Sequence, residues 1–265
     1  PIYESMINFV NGKAVACPLR EVNGFSLDPQ DLISRITPKT KMVILNSPAN
    51  PTGGVTERAE LEAVLKVLKD YPDIWILSDE IYARMLYDGI EHVSPMQDPE
   101  IRDRVILLDG WSKTYAMTGW RMGFGVMRPD LAKSFTKLMV NSNSCTASFS
   151  QRAGMEALAG DQSGVDAMLS EFDVRRKHMV NLLNDIPGVD CHLPVGAFYV
   201  FPNIKQFGLS SIDMQDRILS EAGVACLAGT SFGAEGEGYI RFSYANSIAN
   251  IEEGVGRVRR FLEKI

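Results

Sequence analysis

The chain has 265 residues, 45% hydrophobic and 23% charged, which suits one large globular domain or two smaller ones and argues against disorder. With 27 basic and 33 acidic side chains it carries a net charge of −6, so the basic stripe of a nucleic-acid groove is excluded, and no apolar run approaches a membrane span. Cys17, Cys145, Cys191 and Cys226 form no C-x-x-C pair, and His92, His178 and His192 lack metal-ligand spacing. Free thiols in a reducing, cytoplasmic setting and no metal site are expected.

Residues 14–19 read as a short strand. Asp28-Pro29 then caps a predicted helix running to about Ile36, with proline in its first turn. Residues 41–46 hold the apolar run Met42-Val43-Ile44-Leu45, the pattern of a strand buried on both faces. A turn-rich Ser47-Pro48-Ala49-Asn50-Pro51-Thr52-Gly53-Gly54 follows. Residues 57–70 carry Leu61, Val64, Leu65 and Leu68 at helical spacing, and residues 74–77 form a further buried strand ending in Ser78-Asp79-Glu80-Ile81-Tyr82. The apolar run from Val105 ends in Asp109-Gly110 and opens into Trp111-Ser112-Lys113-Thr114. Strand, helix, strand in this order implies a parallel sheet, in which ligands collect beyond the carboxyl ends of the strands. Asn50, Asp79 and Lys113 each follow such an end.

Beyond Val126 the pattern changes. Helices are predicted over 129–140 and 150–158, separated by the polar stretch 141–144. A long one over 165–186 has Met168, Phe172, Met179, Leu182, Leu183 and Ile186 on its apolar side and is stopped by Pro187-Gly188. Strands over 189–193, 198–201 and 239–243 alternate with a helix over 211–222 closed by Gly223. The last helix is expected to open at Asn250, with Glu253 three residues on, and to reach Ile265. The expected architecture is α/β: a large domain over 1–170 with a mostly parallel sheet and helices on both faces, and a smaller α+β domain over 171–265.

A lysine beside apolar and aromatic residues is pushed toward its neutral form, and a neutral amine can condense with an aldehyde. Arg121, eight positions after Lys113, offers a fixed fork suited to phosphate, and Ser112 adds a hydroxyl. Lysine, carboxylate, phenol, amide and arginine together suit an aromatic aldehyde bearing a phosphate, namely pyridoxal phosphate. Lys113 is the candidate for the Schiff base and Asp79 for the partner of the pyridine nitrogen. Tyr82 and Asn50 suit the ring hydroxyl, and Ser112 and Arg121 the phosphate.

Asn50-Pro51-Thr52-Gly53, Ser78-Asp79-Glu80-Ile81-Tyr82, Ser112-Lys113-Thr114 and Arg121 resemble the class I/II aminotransferases of the fold type I pyridoxal-phosphate enzymes. Gly196-Ala197-Phe198-Tyr199 and Tyr239-Ile240-Arg241-Phe242-Ser243 resemble the same family's small-domain motifs. The resemblance covers essentially the whole chain and rests on five motifs in order. It implies a two-stage transfer of an amino group between an amino acid and a 2-oxo acid, with Lys113 and Asp79 catalytic, Arg241 and Asn50 binding substrate, and a homodimer as the working unit. Other fold type I enzymes, a carbon-sulfur lyase or a decarboxylase, share the same lysine and aspartate, and a truncated non-catalytic relative is a further reading. The donor amino acid is not legible. Trp111, Tyr115 and Trp120 read as packing residues.

Two departures from the family stand out. Gly110 occupies the place where many relatives have a phosphate-binding serine. The resemblance also begins partway into the family's large domain, with Pro1-Ile2-Tyr3 matching the segment after the ring-stacking region. The upstream glycine-rich loop and stacking aromatic have no counterpart here, so a fragment with apolar edges exposed and weakened cofactor binding is expected.

Overall fold

The computed structural model describes residues 2–265, and Pro1 of the amino-terminal match lies outside the described residues. In chain order the helices are α1 (Ile2–Phe9), α2 (Pro29–Ile33), α3 (Arg58–Leu68), α4 (Pro129–Ser142), α5 (Ser148–Ala159), α6 (Ser163–Asn184), α7 (Ser211–Arg217) and α8 (Ile248–Leu262). The strands are β1 (Met42–Asn46), β2 (Trp75–Asp79), β3 (Val105–Gly110), β4 (Gly123–Val126), β5 (Tyr199–Val200), β6 (Leu227–Ala228) and β7 (Ile240–Ser243). The α/β class agrees with the sequence reading.

One compact unit comprises residues 27–49 and 55–169. Its sheet has the order β1-β2-β3-β4, with the first two pairings parallel and the last antiparallel. Val43, Ile76, Val105 and Ile106 are buried in it, as their uninterrupted apolar runs require. The Asp28 side chain caps α2 by accepting from the Gln30 amide at 2.9 Å. Leu61, Val64, Leu65 and Leu68 form the buried face of α3. At the end of that helix the Arg104 guanidinium donates to the carbonyls of Leu68, Tyr71 and Ile74 at 2.5, 2.7 and 2.8 Å, tying the helix exit to the start of β2. The register sets Asn46 beside Asp79 and Asp79 beside Leu108, so the carboxyl ends of the parallel strands lie level. All four residues of β4 are exposed, and α4 buries none of its residues. Such an apolar edge is a surface that invites a further chain segment.

The second unit comprises residues 2–26, 50–54 and 170–265. Its antiparallel sheet runs β5-β7-β6, and its core includes Met179, Leu183, Val200, Ile218, Ile240, Ile251 and Val255. Residues 2–26 and 50–54 group with the carboxyl-terminal part, which begins at residue 170. The reason is packing: Phe25 meets Phe201 and Tyr239 edge-on at 5.9 Å each. Glu21 accepts from Asn203 at 2.8 Å and from the Tyr239 hydroxyl at 2.9 Å.

Several local expectations are corrected. Residues 14–19 form no strand; Leu19 packs instead on the Phe25, Phe201 and Tyr239 cluster. Residues 189–193 make only a single bridge, Asp190 to Asn203, because the Asn184 side chain takes both backbone groups of Cys191 at 2.7 and 3.0 Å. The helix over 211–222 ends in a π-helical turn, Ile218–Ala222, closed by Gly223 in the left-handed region. The last helix opens at Ser247, whose hydroxyl accepts from the Asn250 amide at 3.2 Å, while Glu253 pairs with Arg257. Helix α4 absorbs Asn141 and Ser142, whose side chains bond back to the carbonyls of Lys137 and Leu138.

Candidate active site

The predicted residues fall into two groups, one in each unit. In the unit of the parallel sheet, Asp79 is the last residue of β2, and its Oδ1 accepts from the Ile81 amide at 3.3 Å. Asn46 donates from its side chain to the Asp79 carbonyl at 3.3 Å, pinning the strand end. Tyr82 is 3% exposed, and the Lys113 ammonium stands 5.8 Å from the centre of its ring. Lys113 and Tyr82, 31 positions apart, are thus brought together, because β2 and β3 are adjacent parallel strands whose carboxyl ends open on the same side.

The loop carrying Lys113 is anchored from behind. Trp111 donates through Nε1 to the Gly154 carbonyl at 3.0 Å and meets Phe124 edge-on at 5.4 Å. Arg84 donates to the Tyr115 hydroxyl at 3.3 Å and to Gln162 at 2.7 Å. Trp111 and Tyr115 therefore pack as expected, whereas Trp120 is 45% exposed.

The two candidate phosphate ligands lie on either side of residues 114–120. Arg121 is exposed, in the left-handed region at φ 53°, and its guanidinium donates to the Thr118 carbonyl at 2.8 Å. Ser112 is half-buried in the loop before Lys113.

The second group lies in the other unit. Arg241 on β7 donates to the Asn50 side-chain oxygen at 2.9 Å, with its guanidinium 4.4 Å from the Tyr199 ring centre and 5.0 Å from that of Phe232. A planar cation between two aromatic faces, oriented by an amide, presents a fork suited to a carboxylate. Tyr199 and Phe232 had no role in the sequence reading, since only the pairing of β5 with β7 and the turn after β6 deliver them.

The Asn50 loop is fixed through its glycines. Gly53 lies at φ +68°, and its carbonyl accepts from the amides of Val195 and Gly196 at 3.1 and 2.9 Å. A Cβ there would stand 2.3 Å from the Pro194 Cβ. Arg176, fully buried, donates to the Pro194 carbonyl at 2.7 Å and to Asp173. Three sequence motifs of this unit are thereby knitted together, since Tyr244, next to the motif over 239–243, also donates through its hydroxyl to the Ala197 carbonyl at 3.0 Å.

With this geometry in place, comparison with known proteins gives the family. The sequence matches the aminotransferase class I and II family over residues 1–258. The chain belongs to that family. An aspartate aminotransferase of Pyrococcus horikoshii is 40% identical over 264 residues, covering 98% of this chain and 66% of the relative. An aromatic-amino-acid aminotransferase of Thermococcus litoralis is 36% identical, covering 99% of this chain and 67% of the relative. The crystal structure of an aspartate aminotransferase from Rhizobium meliloti superimposes with a TM-score of 0.93 at 34% identity, over 98% of this chain and 68% of that one. The fold is therefore that of the fold type I aminotransferases. The chain spans about two thirds of the length of these aminotransferase relatives.

Within this aminotransferase fold, Gly110 is explained by space. A Cβ at that position would lie 2.8 Å from the Met122 carbonyl oxygen and 2.9 Å from the Gly123 Cα, so the close β3–β4 approach excludes a serine there. Among the described residues no group of three His, Cys, Asp or Glu side chains is arranged to hold a metal ion, and no helix is long and apolar enough to cross a membrane. The four cysteines carry free thiols.

Proposed function

We propose that the protein is a pyridoxal-phosphate-dependent aminotransferase, moving an amino group from an amino acid to a 2-oxo acid, with Lys113 as the catalytic amine. The observation that carries this reading is the placement of Lys113 over the buried Tyr82, in the same unit as the Asp79 carboxylate at the end of β2. The donor set there fits the cofactor: an amine for its aldehyde, a carboxylate for its ring nitrogen and a phenol for its ring oxygen. Ser112 and Arg121 are the proposed phosphate ligands.

Bound pyridoxal phosphate supplies an aldehyde that takes up amino groups and a cationic ring that withdraws electrons. Lys113 would hold the cofactor through its amine, and its Nζ, when free, would take the proton from the substrate Cα. Asp79 would pair with the ring nitrogen and favour its protonated form. Tyr82 donates its hydroxyl hydrogen to the ring oxygen. Arg241 binds the substrate α-carboxylate, oriented by Asn50. Asn50 is also a proposed partner of the ring oxygen.

The unit of residues 27–49 and 55–169 is in this reading the cofactor-binding domain. A homodimer belongs to the same proposal, supported by family membership and by exposed apolar side chains such as Leu138 and Phe149. A cytoplasmic location is supported by the free thiols.

The test is an absorbance spectrum of the purified chain with added pyridoxal phosphate, before and after borohydride, followed by mass analysis of the reduced peptides. A visible band and a pyridoxyl adduct on Lys113 are expected. An adduct on another lysine would refute the assignment.

A further inference from the structure

Directly behind the Asp79–Tyr82 turn lies a buried polar knot that the proposed chemistry does not use. Glu80 follows Asp79 at the strand end, where successive side chains leave the backbone on opposite sides. Glu80 is 5% exposed. Its Oε1 accepts from the Ser78 hydroxyl at 2.8 Å and the Ser94 hydroxyl at 2.6 Å, and its Oε2 meets His92 Nε2 at 2.6 Å.

A buried carboxylate is costly unless its oxygens are satisfied, and these three contacts engage both. They also tie distant chain segments together. Ser94 caps the following 3-10 turn, Pro95–Gln97, by accepting from the Met96 amide at 3.2 Å. The Glu80 amide donates to the Leu108 carbonyl of β3 at 2.8 Å, and its carbonyl accepts from the Ala83 amide at 2.8 Å. Side chain and backbone of Glu80 are therefore both fixed, between the two residues assigned to the cofactor ring. The neighbouring Asp109 carboxyl is held above the usual carboxylate range, first by burial, with the nearby Glu80 and Asp79 charges adding to it.

We propose that Glu80, held by His92, Ser78 and Ser94, is a positioning residue that sets the direction of the Asp79 carboxylate and the seat of Tyr82. This rests on the reading of Asp79 and Tyr82 as ring partners of pyridoxal phosphate. Glu80 touches neither cofactor nor substrate; it acts by fixing the turn that carries both side chains.

The experiment compares the wild-type chain with Glu80→Ala, Glu80→Gln and His92→Phe. Amide hydrogen exchange of residues 80–85 is read without cofactor against residues 105–108 of β3, and the pyridoxal phosphate dissociation constant is read by titration. Loss of a buried charged hydrogen bond predicts about tenfold faster exchange in that turn and about tenfold weaker affinity for Glu80→Ala and His92→Phe. Glu80→Gln, which keeps an acceptor for the serines, is expected to recover most of both. If Glu80→Ala does not fold, His92→Phe carries the comparison, because it removes one contact and keeps a ring. Wild-type exchange in His92→Phe overturns the proposal, and so does faster exchange with unchanged affinity. A wild-type chain that forms no Lys113 adduct overturns the cofactor reading instead, and the cofactor-free exchange then decides the positioning role alone.

Discussion

Arg241 and Asn50, 191 positions apart, are joined by a hydrogen bond of 2.9 Å from the guanidinium to the side-chain oxygen. The bond fixes the rotation of the fork, while the rings of Tyr199 and Phe232 fix its plane. An arginine so constrained pays little of its rotamer entropy when it meets a carboxylate.

Arg241→Lys keeps the charge and loses the fork, the stacking and the Asn50 contact. KM for both the amino acid and the 2-oxo acid is expected to rise about 10- to 100-fold, with a smaller effect on kcat. Steady-state kinetics on both half-reactions checks this. An unchanged KM would show that the carboxylate is held elsewhere.

In the proposed reading Asp79 supplies charge where the reaction develops it, whereas Tyr82 supplies one hydrogen bond. Asp79→Ala is therefore expected to cost about a hundredfold or more in kcat, and Tyr82→Phe about tenfold or less. Rapid-quench turnover of both variants under saturating cofactor separates them. Equal losses would remove Asp79 from its role as the electrostatic partner.

Asp109 gives a pH dependence of stability. Its carboxyl titrates above the ordinary value, chiefly through burial, with the Glu80 and Asp79 charges adding and the Gly110 amide and His92 opposing. The folded state therefore holds this proton more tightly than the unfolded state. Its contribution is most favourable below the unfolded value and is lost as pH rises through the folded one. Asp109→Asn keeps an acceptor for the Gly110 amide, bonded here at 2.6 Å, and removes the charge. It should stabilise the chain at pH 7.5 and give progressively less benefit toward pH 4, as urea melts at the two pH values will report.

Gly53 and Gly89 both have positive φ, at +68° and +75°, yet their surroundings differ. A Cβ on Gly53 meets Pro194 at 2.3 Å and the Gly196 carbonyl oxygen at 2.9 Å, whereas one on Gly89 meets nothing within 4 Å. Gly89→Ala is expected to cost about 1 kcal/mol, from left-handed backbone alone. Gly53→Ala adds overpacking of about 1–3 kcal/mol and should also disturb Asn50. Denaturant midpoints of the two variants provide the comparison, and equal shifts would mean that the Gly53 loop yields freely.

Much of the parallel sheet was legible from the chain itself. The apolar runs at Met42 and Val105 become strands, although Met42 is exposed and Val43 alone of β1 is buried, and Asp28 caps a helix where the proline after it says it should. Of the candidate site residues, Lys113 stands over the Tyr82 ring and Arg241 bonds Asn50. The arrangement of Arg121 was not legible. A guanidinium chooses among nearby acceptors by their three-dimensional positions, and here it donates to the Thr118 carbonyl.

By itself, then, the sequence determined what depends on neighbours a few positions apart: periodicity, caps, turns and the order of the family's motifs. Tertiary structure decided what depends on contacts between distant segments. Residues 14–19 are apolar enough for a strand, yet Leu19 is used against Phe25, Phe201 and Tyr239. Glu80 reads as one letter of a motif until His92 and Ser94 close around it. Its satisfaction rests on donors 12 and 14 residues away, brought within bonding distance only when the chain has folded.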